Sequence, residues 1–270
     1  MRRVLVGRKI VAAEVAHDEI VLKRTPFDSV RAALVGATVE EIGRKGKYWW
    51  IELDRRPWVF GHLGMAGWIR DVSLTGSEKL ATRLREHGKK DWDDENGKPR
   101  FLKLMLETED GGRIAFTDGR RLGRLWLAES SETGVVGLGP DVLDEPWPIK
   151  GLVKKLKDRK APIKALLLDQ KLFAGIGNWI ADEVLFQARI APARLAGSLS
   201  EEEIARLLSE LKPILELAIE VNADSASYPE TWLFNSRWGG AKGTSEIMGH
   251  LIVREPIGGR TTAWVPDLQK

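Results

Sequence analysis

Leu168-Asp-Gln-Lys-Leu-Phe-Ala-Gly-Ile-Gly-Asn-Trp-Ile-Ala-Asp-Glu-Val-Leu-Phe-Gln-Ala-Arg-Ile-Ala-Pro192 reads as two helices joined by a tight glycine turn, Gly175-Ile-Gly177. Asn178 follows the turn, and asparagine is a favoured N-cap, so the second helix is expected to open there with unpaired N–H groups facing the turn. A turn running into a helix N-terminus is an anion site, and phosphate is the commonest anion of that kind. The glycine pair alone fits a plain helix-turn-helix equally well. Leu166, Leu167, Ile180, Val184 and Leu185 are expected to be ordinary core.

Working outward, the chain changes character along its 270 residues, a length that fits one large domain or two ordinary ones. The first half carries strand signals. Tyr48–Leu53 and Trp58–Leu63 flank a polar turn, 101–107 and 113–116 flank Gly111-Gly112, and 124–127 adds another strand. The charged segment 86–100 between the hairpins reads as a surface loop. Residues 130–148, rich in Gly, Pro, Ser and acids, read as a connection. Beyond it the pattern is helical. Pro162 sits at a first turn, and Ser200 with Glu203 forms a capping box before an amphipathic run from Ile204 to Ala218, which Pro213 should kink or divide. Strand character returns around Gly258-Gly259. The expected layout is a β-rich domain over 1–129, a linker over 130–148, a helical domain over 149–235, and a loop and terminal hairpin over 236–270.

Composition narrows the chemistry. The net charge is +3 with a pI near 9.0, which permits nucleic-acid binding without proving it. There is no cysteine, hence no disulfide and no thiolate metal site, and the histidines (His17, His62, His87, His250) are too scattered to suggest zinc. No apolar run approaches a membrane span and no secretory signal opens the chain, so a soluble cytoplasmic protein is the default expectation, nucleoid-associated if bacterial.

The full 168–192 run resembles the helix-two-turn-helix element of the formamidopyrimidine-DNA glycosylase and endonuclease VIII family, whose turn grips the backbone of damaged DNA. Over essentially the whole chain, the β-rich half, helical half and terminal hairpin resemble that family too. The resemblance implies an α+β fold: a β-sandwich-like N-terminal domain, then the helix-two-turn-helix domain with a C-terminal hairpin finger. It implies base-excision repair of oxidised purines, formamidopyrimidines and 8-oxoguanine, by a bifunctional DNA glycosylase and AP lyase, with damaged duplex DNA as partner. A monomer without cofactor or membrane association is expected.

The resemblance also places roles. Lys47, in Arg44-Lys-Gly-Lys-Tyr-Trp49, takes the position of the family's hairpin lysine, which contacts a phosphate beside the lesion and assists catalysis; alone it would be a solvated turn lysine. Met65, in His62-Leu-Gly-Met-Ala-Gly67, corresponds to the methionine that enters the gap left by the flipped base. Asp118-Gly-Arg-Arg-Leu-Gly123 is similar to the loop whose first arginine pairs with the widowed base and whose aromatic wedges beside it. Arg120 and Leu122 take those roles, with a leucine unable to stack as a ring does. Lys164, Gly177 and Asn178 take the phosphate contacts of the helical half, and Arg260 that of the finger.

Two departures stand out. Most members build the finger around four zinc-bound cysteines. Here the hairpin must be held by packing, with Trp264 and Ile252 as candidate anchors, as in the family's zincless plant and fungal branch, which the chain's ending resembles most. The family also attacks the sugar with an N-terminal proline amine followed by a catalytic glutamate, in an opening Pro-Glu-Leu-Pro-Glu; Met1–Ile10 instead matches the end of the family's first helix and the lead into its first strand. The resemblance thus implies a chain lacking the nucleophile and little able to cut, with the Met1 amine no substitute. A misassigned start or a non-catalytic binder of damaged DNA would each explain that. An RNA-binding protein with a similar Gly-x-Gly-Asn helical turn is a third class, which the β-rich half and the Arg260 finger oppose. The polar run 236–245 corresponds to the loop near the flipped base and does not decide between purine and pyrimidine lesions.

Overall fold

The computed structural model describes residues 1–23, 25–73, 93–144, 149–239 and 245–270. Residues 86–92 of the charged 86–100 segment, the end of the 130–148 stretch and half of the 236–245 run lie outside the described residues. The described residues up to Val136 form one compact unit, and Gly137 to Lys270 form another. The division falls inside the stretch read as a linker, and the terminal hairpin belongs to the second unit.

The first unit opens with a short helix α1 (Arg2–Leu5), then strand β1 (Ile10–Val15) and helices α2 (Glu19–Leu22) and α3 (Phe27–Leu34). Strands β2 (Val39–Lys45), β3 (Tyr48–Leu53), β4 (Trp58–His62) and β5 (Gly67–Asp71) follow, then β6 (Leu102–Thr108), β7 (Arg113–Asp118), β8 (Arg124–Ala128) and helix α4 (Ser131–Gly134). Two antiparallel four-stranded sheets result, in the orders β1-β6-β7-β5 and β2-β3-β4-β8. Strict alternation in β3 sends Trp49, Ile51 and Leu53 inward, where the β-branched and aromatic side chains fit the pleat. Ile10, Val15, Leu104, Leu106, Ile114 and Phe116 of one sheet share a core with Ile51, Val59, Phe60 and Leu125 of the other, the arrangement of a β-sandwich. Val30, Ala33 and Leu34 of α3 join it.

The second unit holds helices α5 (Ile149–Leu156), α6 (Ile163–Leu167), α7 (Asn178–Gln187) and α8 (Glu201–Glu220), then strands β9 (Glu246–Ile247), β10 (His250–Leu251), β11 (Val253–Ile257) and β12 (Arg260–Trp264). Leu166, Leu167, Ile180, Val184 and Leu185 are buried, as their spacing predicts. The Ser200–Glu203 capping box is present: the Glu203 N–H donates to Ser200 Oγ at 3.2 Å and the Ser200 N–H to Glu203 Oε2 at 2.9 Å. Helix α8 runs through Pro213 as one element rather than two. The lost N–H donor is outweighed by the buried stripe Ile204, Leu207, Leu211, Ile214 and Ala218.

The β11–β12 hairpin carries no cysteine that would hold zinc, and packing holds it. Ile252, Ala263 and Val265 join Ile247, Leu233 and Phe186 of α7 in a small core. Trp264 is not an anchor, contrary to expectation. It is half-buried, and its indole donates to exposed Glu255 at 2.8 Å, because its place on β12 faces the partner strand's polar edge. Among the described residues no helix is long and apolar enough to cross a membrane.

Candidate nucleic-acid interface

In the first unit, one hairpin turn and two loops that cross from one sheet to the other set out the side chains of interest. Lys45 pairs with Tyr48, so Gly46 and Lys47 form a two-residue turn, with Lys47 half-buried. The Lys47 carbonyl accepts from the Leu63 N–H at 3.1 Å, which ties this turn to the segment carrying Met65. His62 Nδ1 accepts from the Gly64 N–H at 3.2 Å, a bond open only to an unprotonated nitrogen. Burial, then the nearby charges of Lys47 and Arg124, push the His62 pKa down to about 4, so the ring is neutral near pH 7. His62 also lines a concave surface of about 420 Å³ with Lys23, Tyr48, Arg124 and Trp126.

Gly64 brings the two crossing loops together. Its φ is +61°, and a Cβ there would lie 2.6 Å from the Leu122 carbonyl carbon and 2.7 Å from the Gly123 nitrogen. Backbone therefore meets backbone, and only glycine fits. Within loop 118–123, one Asp118 carboxylate oxygen accepts the Arg120 N–H at 3.0 Å and the other the Gly123 N–H at 2.5 Å. The outcome is two touching loops that leave Met65 58% and Leu122 38% exposed, with Arg120 exposed beside Leu122.

Asp18 is a residue that sequence reasoning missed. It is buried at the N-cap of α2, accepts Lys103 Nζ at 2.8 Å, and takes both Nε and Nη2 of Arg121 at 2.9 Å. Nothing local in Ala16-His-Asp18 signals a partner more than eighty residues away along the chain.

In the second unit the glycine turn is built as expected, with one change. Gly175 has φ +100°, and buried Gly177, not Asn178, is the N-cap of α7. Asn178 is the first helical residue, and its amide donates instead to the Thr261 carbonyl on β12 at 2.9 Å. A capping side chain must turn back toward its own helix, whereas this one reaches across to the hairpin. Gln170 closes the turn: its Oε1 accepts the Gly175 N–H at 3.0 Å, and its Nε2 donates to the Leu168 and Ile176 carbonyls. A glutamine that substitutes for backbone in this way leaves no periodic trace in a sequence.

Lys164 departs furthest from expectation. It is fully buried, where a phosphate contact calls for an accessible ammonium. Its ammonium lies 2.5 Å from Asp182 and donates to Thr262 Oγ1 at 2.6 Å and to the Thr261 carbonyl at 3.3 Å. Asp182 also takes Arg237 at 2.7 Å and the Ala263 N–H at 3.2 Å. A buried acid must find cations, and here two converge on one carboxylate. Burial lowers the Lys164 pKa while Asp182 opposes the fall. The signal was the acid pair Asp182-Glu183 within an apolar helix, where charge has no place unless partnered. The turn of the β11–β12 hairpin rests on α6: a Cβ on Gly258 would sit 3.0 Å from the Ala165 Cα. Hairpin, α6 and α7 are thus joined at Lys164, Asn178 and Gly258, with exposed Arg260 one residue from the Asn178 contact.

Glu183 accepts the Leu233 and Phe234 N–H groups at 3.2 and 2.8 Å, yet burial outweighs these bonds and raises its pKa to about 7. The folded state therefore keeps a proton that the unfolded chain has lost between the ordinary glutamate value and pH 7. Stability should fall by about 3 kcal/mol as pH rises through that window and level off above it. Urea unfolding across pH 4.5–8 should show this slope, and Glu183→Gln should flatten it.

Two family models cover most of the chain: the formamidopyrimidine-DNA glycosylase N-terminal domain over residues 1–125 and the formamidopyrimidine-DNA glycosylase H2TH domain over 138–230. A formamidopyrimidine-DNA glycosylase of Rhizorhabdus wittichii is 32% identical over 283 residues, covering 100% of this chain and 95% of that protein. The chain belongs to the formamidopyrimidine-DNA glycosylase family. The Arabidopsis thaliana member is 38% identical over 268 residues, 98% of this chain but 66% of the plant protein's length. Among solved structures, the Lactococcus lactis glycosylase bound non-covalently to DNA containing an AP site superposes with a TM-score of 0.75 at 25% identity, covering 99% of this chain and 94% of that one. A MutM complex with DNA containing carbocyclic 8-oxo-G gives a TM-score of 0.75 at 26% identity, covering 100% of this chain and 95% of that one. Family membership accounts for the two-sheet sandwich and the helical unit with its terminal hairpin.

Proposed function

We propose that this chain recognises oxidised-purine and abasic sites in duplex DNA, each unit supplying its own contacts. The observation that carries the reading is the pair of touching loops, one holding Met65 exposed and the other holding Leu122 exposed beside Arg120. Exposed apolar side chains next to an arginine suit insertion into a base stack: the apolar groups replace lost stacking, and the guanidinium offers donors to an unpaired base edge. Lys47, on the neighbouring turn, supplies a cation for a phosphate beside the lesion.

In the second unit the N-terminal turn of α7 offers backbone N–H groups and Arg260 a charge, both suited to phosphate. Asn178 sets the spacing between them through Thr261, and Lys164 supports the arrangement from beneath without touching DNA. The similarity to formamidopyrimidine-DNA glycosylases and to their DNA-bound structures supports base excision as the activity, and the similarity to the Arabidopsis protein supports a zincless plant-like branch. A polypeptide beginning at Met1 carries no Pro-Glu pair at its amino end. Such a polypeptide is proposed to bind lesions while forming little covalent intermediate.

Borohydride trapping tests this division of labour. Incubated with 8-oxoguanine and abasic duplexes, the Met1 polypeptide should be retained on the abasic duplex in a native gel and give no borohydride-stable adduct with either. A strong adduct would show that an amine within this chain does the chemistry.

A further inference from the structure

Loop 118–123 carries two arginines side by side, and the fold treats them differently. Arg120 is exposed, its backbone N–H held by Asp118. Arg121 sits in the left-handed region at φ +57°, a strained conformation for a non-glycine residue that persists only where something holds it. What holds it is Asp18, through two parallel bonds of 2.9 Å to Nε and Nη2. Asp18 is 7% exposed, caps α2 through the Val21 N–H at 3.3 Å, and already has Lys103 at 2.8 Å. One carboxylate thus meets two cations. Lys103 alone would neutralise it, so the Arg121 fork is not needed to bury the charge. Its geometric effect is to pin the middle of the loop to the body of the sandwich. The hydrogen bonds from Arg121 hold the Asp18 carboxyl well below the usual carboxylate range, so the tether does not titrate near neutral pH.

We infer that Asp18 is a positioning residue for reading the base opposite a lesion: its grip on Arg121 fixes the loop so that Arg120 and Leu122 are presented to the duplex. The inference rests on the DNA-recognition reading above. Arg121 is in this account a structural tether and not a phosphate contact.

The test uses full-length protein and duplexes bearing an abasic-site analogue opposite cytosine or adenine, with undamaged duplex alongside. Asp18→Asn, Arg121→Gln, the double variant and Lys103→Met are compared. Each tether variant should reduce the ratio of affinities for the two abasic duplexes about fivefold, and the double variant should lose no more than either single one. Lys103→Met should lower the melting temperature and keep the ratio, which separates positioning from general stability. Arg121→Gln leaves Asp18 its Lys103 partner, so it carries the test even where Asp18→Asn fails to fold. An unchanged ratio in folded Arg121→Gln overturns the inference. So does tighter binding of Asp18→Asn to every duplex with a steeper salt dependence, the mark of an arginine released to phosphates. A wild-type protein that does not prefer abasic over undamaged duplex defeats the DNA reading itself.

Discussion

Asp182→Asn is expected to cost about 3–5 kcal/mol, enough to unfold much of the 137–270 unit at moderate temperature. Lys164 and Asp182 are both fully buried, 2.5 Å apart, and Arg237 adds a second cation at 2.7 Å. Removing the one carboxylate leaves two buried cations with no counter-charge. The asparagine amide also keeps a single acceptor oxygen where Lys164, Arg237 and the Ala263 N–H had two to share, which loosens the hairpin that carries Arg260. The cost comes from the charges left behind more than from the bonds lost. Replacing all three residues together, Lys164→Met with Asp182→Leu and Arg237→Met, should therefore be far milder than the single change. Urea unfolding of the variants measures both, and a single variant as stable as wild type would contradict the burial assigned to this cluster.

Gly64→Ala is the second large effect. An alanine at φ +61° pays about 1 kcal/mol in backbone strain, and its Cβ meets Leu122 and Gly123 backbone at 2.6–2.7 Å. Backbone cannot rotate aside as a side chain does, so overpacking adds to give a total of about 2–4 kcal/mol. The loops must separate, which moves Met65 away from Leu122, and preference for abasic duplex should fall with stability. Gly97→Ala is the matched control: its φ is +75°, but nothing lies within 4 Å of the added Cβ. It should show the strain alone, about 1 kcal/mol, and leave DNA binding intact. Equal losses in the two variants would mean that the loop contact matters little.

The parts of the fold readable from sequence were those decided locally. Alternation fixes the buried face of Trp49, Ile51 and Leu53, and Ser200 with Glu203 marks the start of α8 at Glu201. Met65, Arg120, Leu122 and Arg260, which the family resemblance alone put at the surface, are exposed. What escaped were the fates of charges whose partners lie far along the chain. Lys164 reaches Thr262 across 98 positions, and Arg121 reaches Asp18 across 103. A buried lysine and a solvated one look alike until the fold brings their neighbours in. Asn178 shows the same limit on a smaller scale. Its residue type suits a cap, but the nearby hairpin carbonyl of Thr261 takes its amide. Trp264 was misjudged because size suggests an anchor, while strand register places smaller Ala263 inward.

Equilibrium affinity for an abasic duplex against the same duplex undamaged, at one fixed salt concentration, tests the central claim most directly. Wild type should prefer the abasic duplex by at least about tenfold, a difference of about 1.4 kcal/mol. Arg120→Ala should bring the two affinities together, because its side chain is assigned to the unpaired base and not to the phosphates. Equal affinity of the wild-type chain for both duplexes, or a preference that survives Arg120→Ala unchanged, would contradict the account.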